Sequence, residues 1–383
     1  MTDFRLSTLT LLTISAFGFY SILILTERNG WGDMLRASVE DGVLPNGKPL
    51  RKNYTGVTAL DAGLTILVRV FYTVVSWERP SLSVFMGYLA GQLAPLHTAL
   101  VLEGLRAGNK GTALYFPAIW GLANQFVSFG VTLPIYCVVQ LWRSPLARPR
   151  QNAAARNAES FSLGSAEVST VPGAMLLGYV IPTVLPVLPP SLISTHTRQG
   201  LIALWQVFPV CVSLSHRSFL LLGRVLGLIP RSSSTNWVTG IKSARKVYRQ
   251  TLALSGAVHL AAIAFVVSPL LRETLLGSSA VPLDIKTVFR PMSVLSPNQV
   301  AELGEGLQTL LLYDMYCGFA AAFAWVSSLA YAAAASNVAA AMKTAGNFVL
   351  RSLLVGPGGA VLWALWDRDE EMLMPMKLAK KAV

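Results

Sequence analysis

QTLLLYDMYCGFAAAFAWVSSLAYAAA, residues 308–334, decides the fold class. It is longer than the roughly 20 apolar residues that carry a helix across a bilayer. Inside it stands a carboxyl, Asp314, flanked by Tyr313 and Tyr316. A charged side chain at the centre of a membrane helix costs about 2.5–3.5 kcal/mol on insertion scales. Asp314 is therefore expected to face protein or a cavity, where a low dielectric favours the protonated acid. An uncharged carboxyl among aromatic rings, in apolar surroundings, suits the making and holding of a carbocation.

The rest of the chain agrees with a membrane setting. Hydrophobic residues make up 53% of 383 and charged residues 13%, with a mean hydropathy of +0.52. Soluble domains carry about 25% charged residues. The expectation is a polytopic all-α transmembrane helix bundle forming one integral membrane domain over residues 1–383. The net charge of +12 falls in loops between apolar stretches. That pattern reads as topology signals and contacts with membrane lipid rather than nucleic-acid binding. Cys137, Cys211 and Cys317 each lie inside an apolar stretch, so free thiols are predicted.

About eight spanning helices are expected: 7–25, 58–77, 82–103, 114–140, 171–190, 200–222, 251–271 and 308–334. The stretch 347–366, interrupted by GPGG, reads as a ninth span, a re-entrant segment or an interfacial helix. Pro182 and Pro186 break the fifth span, which a membrane tolerates where neighbours satisfy the freed backbone. The sequon Asn53-Tyr54-Thr55 lies too close to the second span for its use to be expected. Basic loops follow the fourth span (Arg143, Arg148, Arg150, Arg156) and the sixth (Arg224, Arg231, Lys242, Arg245, Lys246, Arg249). The positive-inside rule puts both, and the N-terminus, in the cytosol. The final Lys380-Lys381-Ala382-Val383 has the form of a dilysine signal for the endoplasmic reticulum, which must also face the cytosol. An even number of crossings follows, favouring eight, with 347–366 not crossing.

On that topology Asp61, Glu103 and Asp314 share the lumenal leaflet, within about two helical turns of one another at 1.5 Å per residue. Three carboxyls at one level make a candidate site. Glu78, beside Arg79, lies at the opposite end of the second span. Plainer readings stand beside these. Glu103 can pair with Arg106 at helical spacing, Glu78 and Arg79 can mark a helix end, and Asp61 can anchor a helix start. Asp314 can bond to Arg69, Asn124 or Gln125. Arg69, mid-span, calls for an acidic or carbonyl partner. His97 and Asn124 join Arg69 as polar candidates for contacting a substrate. Tyr115, Phe116, Trp120, Tyr313, Tyr316 and Phe319 fall on the side of the three acids. Aromatic faces stabilise a desolvated cation by about 0.5–2 kcal/mol each, although an interfacial belt is the ordinary role of such residues.

Several chemistries are excluded by what the chain lacks. Its four histidines, His97, His196, His216 and His259, are scattered, which disfavours a metal site of the membrane di-iron kind. There is no DDxxD pair for magnesium diphosphate chemistry. The GxxxxGK[ST], GxSxG, HExxH and CxxC motifs are absent as well.

Four stretches carry a family resemblance: NYTGVTALDAGLTILV (53–68), VFYTVVSWERPSLSV (70–84), GQLAPLHTALVLEGLRAGNKG (91–111) and LLYDMYCG (311–318). They resemble the membrane-bound terpene cyclases of fungal meroterpenoid pathways, the type of ascochlorin, ascofuranone and macrophorin biosynthesis. One departure is visible. The family pattern has Asp-Gly after the second span, where this chain has Ser76-Trp77, and Glu78 stands next as a substitute. The resemblance implies a cofactor-independent cyclase acting on a lipophilic farnesylated substrate. A general acid protonates a terminal epoxide or olefin, and the cation propagates along the chain. Asp314 or Asp61 is then the expected proton donor, with Glu103 the next candidate or a proton-return group. Buried Asp and Arg residues also suit a transporter or proton-coupled carrier. The inverted repeat that would mark one is not found.

Overall fold

The computed structural model describes residues 4–147, 159–229, 237–277, 282–334 and 337–381. The regular secondary structure of the described residues is helical, with Val43 and Pro49 forming an isolated extended pair. In chain order the main helices are α1 (Arg5–Arg28), α2 (Trp31–Glu40), α3 (Thr58–Val75), α4 (Pro80–Leu105), α5 (Pro117–Phe126) and α6 (Phe129–Arg143). They continue as α7 (Val171–Val187), α8 (Thr195–Trp205), α9 (Phe208–Val225), α10 (Trp237–Val267), α11 (Leu303–Ala333) and α12 (Val338–Lys381). Six of them, α1, α3, α4, α10, α11 and α12, are long and apolar enough to cross a membrane.

The two ends of α11 orient the bundle. At its start, Arg79 pairs with Glu302 and donates to Gln308 Oε1 at 2.8 Å, while Trp31 Nε1 donates to the Leu303 carbonyl at 2.9 Å. Thus α1 ends and α4 begins at the same end of the bundle, and the chain between them, α2 to α3, makes no net passage. Towards the far end of α11, Ser328 Oγ donates to Ser7 Oγ at 2.8 Å, next to the start of α1. Arg368, which binds Glu103 at the end of α4, lines one cavity with Ala333. These are the Arg79 end and the Glu103 end.

The expected span 114–140 is two helices that dip in and return. Ser128 holds φ 147 and ψ 142, conformational territory costly for a residue with a Cβ, and breaks the helix there. Trp120 then faces Tyr136, their rings 5.2 Å apart, and Thr132 Oγ1 donates to Asn124 Oδ1. Both outer ends of this hairpin lie at the Glu103 end. A Cβ at Gly104 would sit 3.1 Å from Pro117 Cδ, and Ser144 Oγ donates to Asn109 Oδ1 at 2.7 Å. With no passage between α1 and α4 and this return after α4, α11 keeps the direction expected relative to α1, and α4 is the helix that runs the other way. α11 starts at the opposite end of the bundle from Glu103, so Asp314 and Glu103 do not share the level expected for them.

The stretch 347–366 also doubles back, at Gly356, whose φ of 72 is the left-handed region glycine tolerates. A Cβ there would meet Gln92 Oε1 at 2.2 Å. Arg351 pairs with Asp367 at 2.5 Å and lies 4.6 Å over the Trp363 ring. In a straight helix Arg351 and Asp367 would be about 24 Å apart. The stretch is therefore two helical arms meeting at Gly356 and not one straight helix.

The spans expected at 171–190 and 200–222 are shorter and interrupted. α7 contains a π-helical turn, Leu176–Val180, and Gly178 within it lies against the Val212 backbone. Gln206 and Val207 separate α8 from α9, just before Pro209. Lys242, Arg245, Lys246 and Arg249, expected in a loop, belong to α10, and Arg245 pairs with Glu370 at 2.5 Å. Arg148, Arg150, Arg156 and Arg231 lie outside the described residues, as do the side chains of Lys380 and Lys381 and all of Ala382 and Val383. The three cysteines are free.

Candidate active site

Helices α1, α3, α4 and α11, the α5–α6 turn and the α8–α9 junction enclose a cavity of about 180 Å³. Its wall is mostly apolar, leucine being the commonest residue, with rings from Trp31, Phe71, Phe129, Trp205 and Phe208. Polar side chains enter at His97, Asn124, Gln125, Ser128 and Asp314. Asp314 is the one carboxyl among the lining residues.

The α5–α6 turn holds Asp314 in place. Ser128 Oγ donates to Asp314 Oδ1 at 2.5 Å, and the Gly130 amide donates to the same oxygen at 2.6 Å. Gly130 permits the approach, since a Cβ there would stand 2.9 Å from the Asp314 carbonyl oxygen and from Cys317 Cβ. The expected partners Arg69, Asn124 and Gln125 do not bond to this carboxyl. Asn124 is linked to it indirectly, because Thr132 Oγ1 donates to Asn124 Oδ1 and, at 2.7 Å, to the Ser128 carbonyl. Gln125 Nε2 has no hydrogen-bond partner, which leaves a free donor in the chamber wall.

The other acids are placed elsewhere. Glu103, fully buried, accepts from Arg106 Nε at 2.6 Å and from Arg368 Nη2 at 2.5 Å. Arg106 also reaches both oxygens of Asp369 at 2.8 and 2.9 Å, and Tyr248 donates to Asp369 at 2.7 Å. This ionic cluster ties α4, α10 and the returning arm of α12 together. Removing one partner from a buried pair typically costs about 3–5 kcal/mol. The pairing of Glu103 with Arg106 is thus buried, not at a membrane surface.

Asp61 closes the turn before α3. Its oxygens accept from the backbone amides of Tyr54, Thr55 and Gly56 and from Thr55 Oγ1, at 2.7–3.1 Å. Burial pushes the neighbouring Tyr54 phenol up to about 12, so it stays a neutral donor to the Arg51 carbonyl. Glu78 accepts from Ser76 Oγ at 2.5 Å in the α3–α4 turn. Arg69 meets two hydroxyls, Ser38 Oγ at 2.5 Å and Thr73 Oγ1 at 2.8 Å, rather than an acid or a carbonyl. Thr73 lies one helical turn along the same face, which satisfies the guanidinium locally.

Of the substrate contacts expected from sequence, His97 and Asn124 line the chamber. Tyr313 and Tyr316 point away, donating to the carbonyls of Met292 at 2.7 Å and Phe289 at 2.5 Å. Trp120 donates to the Ala113 carbonyl at 3.0 Å, Tyr115 packs on Phe116, and Phe319 stands behind Phe129 with rings 5.3 Å apart. The rings that do line the chamber were not singled out from sequence. Trp205 and Phe208 flank a helix break before Pro209, and Phe129 follows the break at Ser128. Aromatic residues beside an interruption in an apolar run are the signal that would have found them. Among the described residues no group of three or more His, Cys, Asp or Glu could hold a metal ion.

An apolar chamber inside a helical membrane bundle, with a single carboxyl in its wall, defines an integral membrane protein built around a hydrophobic substrate space. The chain belongs to the CtvD family, whose model, described as the CtvD domain, matches residues 7–373. It is 27% identical to terpene cyclase ctvD of Aspergillus terreus over 371 residues, covering 95% of this chain and 99% of that protein. It is 27% identical to terpene cyclase ascI of Acremonium egyptiacum, over 83% of this chain and 79% of that protein. Terpene cyclase janA of Penicillium janthinellum is 28% identical over 93% of this chain and 90% of its own length. These relatives are fungal terpene cyclases, and the chain is a terpene cyclase of that family rather than a carrier. No solved structure matches it.

Proposed function

We propose that this cyclase starts its reaction by protonation, with Asp314 as the acid and a farnesylated aromatic or cyclohexenone compound as the substrate. The observation that carries this reading is the tethering of Asp314. Ser128 and the Gly130 amide hold Oδ1, which fixes the carboxyl at the chamber wall. A terminal epoxide is the easier target, because a carboxylic acid protonates an olefin poorly. The proton passes to the epoxide oxygen. The bond from oxygen to the tertiary carbon breaks, and its electron pair stays on oxygen as a hydroxyl. The π electrons of the next double bond close a ring on the cationic carbon, and the charge moves along the chain. It ends when a carbon next to the last cation loses a proton, or when a substrate hydroxyl captures the cation and loses its own. A proton returned to Asp314 closes the cycle. Substrate and product have the same composition, and no oxidant or cofactor is needed.

The chamber supports these steps in two ways. The faces of Trp31, Phe71, Phe129, Trp205 and Phe208 line the space in which positive charge develops. The free Nε2 of Gln125 offers a donor to an oxygen of the head group. Glu103, held by two guanidiniums, and Asp61, held by a turn, are less suited to give up a proton than Asp314. By the positive-inside rule, the Glu103 end, with Arg143, Arg224 and the start of α1, faces the cytosol.

Membranes containing the protein, given a phenol carrying a farnesyl chain with a terminal epoxide, test the reading. The expected result is a cyclised product of unchanged mass, formed without ATP or an ion gradient. In deuterated water an epoxide start leaves no carbon-bound deuterium at the initiating end, whereas an olefin start does. No cyclised product from either the epoxide or the plain farnesyl phenol would overturn the assignment of the substrate class.

A further inference from the structure

A second cavity, of about 380 Å³, lies against the first and shares three wall residues with it, Phe71, Met86 and Trp205. Its lining is almost wholly hydrocarbon and includes no charged side chain. The two hydroxyls that line it are already engaged. Ser83 Oγ donates to the Val74 carbonyl at 2.6 Å, and Thr183 Oγ1 donates to the Tyr179 carbonyl at 2.7 Å while accepting from Trp205 Nε1 at 2.9 Å. Such a space offers nothing to a polar ligand and suits an alkyl or isoprenoid chain.

Its outer rim is open. Trp77 and Val187, both lining residues, are 46% and 52% exposed. Trp77 also holds φ 60, a genuine outlier for a bulky residue. Strain of this kind persists where the surrounding structure over-determines it, often at ligand clamps and switch regions. On the inner side, the Phe71 and Trp205 rings lie 5.2 Å apart, and Trp205 sits at the last position of α8, next to the break before α9. Opening at Trp205 breaks its hydrogen bond to Thr183 and its packing on Phe71.

We propose that this cavity is a lateral portal through which the isoprenoid chain of the substrate passes from lipid into the chamber, with Phe71, Met86 and Trp205 as its gate. The proposal rests on the inner chamber being the cyclisation site.

Gly87 gives a clean way to plug the portal, since it lines the cavity and a Cβ there would meet no atom within 4 Å. Gly87→Cys membranes are treated with benzyl methanethiosulfonate, labelling is confirmed by mass, and turnover of the epoxyfarnesyl phenol is followed before and after reduction. The expected result is a fall in kcat/KM of about tenfold or more on labelling, restored by the reductant. The unsubstituted protein, treated alike, keeps its rate. Val187→Cys at the rim supplies the same readout if Gly87→Cys does not accumulate. Labelled protein that turns over at the unlabelled rate overturns the portal. Asp314→Asn, run in parallel, separates the two ideas. An active Asp314→Asn removes the cyclisation reading, whereas an inactive one beside an unaffected labelled portal removes only the portal.

Discussion

Ser128 Oγ stands 2.5 Å from Asp314 Oδ1, across 186 positions of sequence. The contact joins the tip of one helical hairpin to the carboxyl on another helix, and it comes from the residue that breaks the hairpin with a φ of 147. Backbone strain and, among the described residues, the acid's only side-chain hydrogen-bond donor thus sit on one residue. Ser128→Ala removes the donor and keeps the strain, and cyclisation is expected to fall about tenfold to a hundredfold. Ser128→Gly also removes the donor but relieves the backbone, so it should match the alanine variant in rate and exceed it in stability by about 1–3 kcal/mol. Initial rates and thermal unfolding in detergent check both.

Glu103 separates scaffold from chemistry. Glu103→Gln leaves Arg106 and Arg368 facing a neutral amide inside a buried cluster. The expected outcome is a loss of roughly 3–5 kcal/mol in stability, seen as a lower Tm and reduced membrane accumulation. The molecules that do fold should retain most of their turnover, measured per mole of folded protein.

Asp61→Asn exchanges a carboxylate that receives four donors for an amide that accepts less well. A cap-sized loss of about 0.5–2 kcal/mol is expected, with kcat close to that of the unsubstituted protein. A collapse of kcat at unchanged stability would return Asp61 to the list of proton donors.

Gln125→Leu fills similar space without the free N–H. KM for a hydroxylated head group should rise about fivefold to tenfold with kcat little changed, the pattern of lost uniform binding. Steady-state kinetics on a phenolic and a deoxygenated substrate check it, since the second should not distinguish the two proteins.

The helical membrane class was legible because long apolar runs leave few alternatives, and Asp314 stood out because a carboxyl interrupts one of them. The returns were not legible. Residues 114–140 contain no charge, so nothing in the composition marks a reversal, and the break at Ser128 depends on a conformation its side chain disfavours. The expected crossing between α1 and α4 is absent, which reverses α4 rather than α11 and is why Glu103 does not lie beside Asp314. The GPGG at 356–359 did carry a usable signal, since glycine can hold the positive φ the fold needs at Gly356. The anchoring of Glu103 was hidden for another reason. Arg368 and Asp369 read as the polar end of a tail until the doubling back of α12 carries them beside α4. Tyr313 and Tyr316 flank Asp314 in sequence, but on a helix adjacent positions face different ways, and their hydroxyls serve the 289–292 loop instead.

The most direct measurement compares Asp314→Asn with the unsubstituted protein at equal membrane abundance, on the epoxyfarnesyl phenol. The amide is nearly isosteric and can still accept from Ser128 and Gly130, but it has no proton to give. Cyclised product is expected to fall by about a thousandfold, within the range of a lost general acid. Product formed at more than about a tenth of the normal rate would contradict Asp314 as the acid.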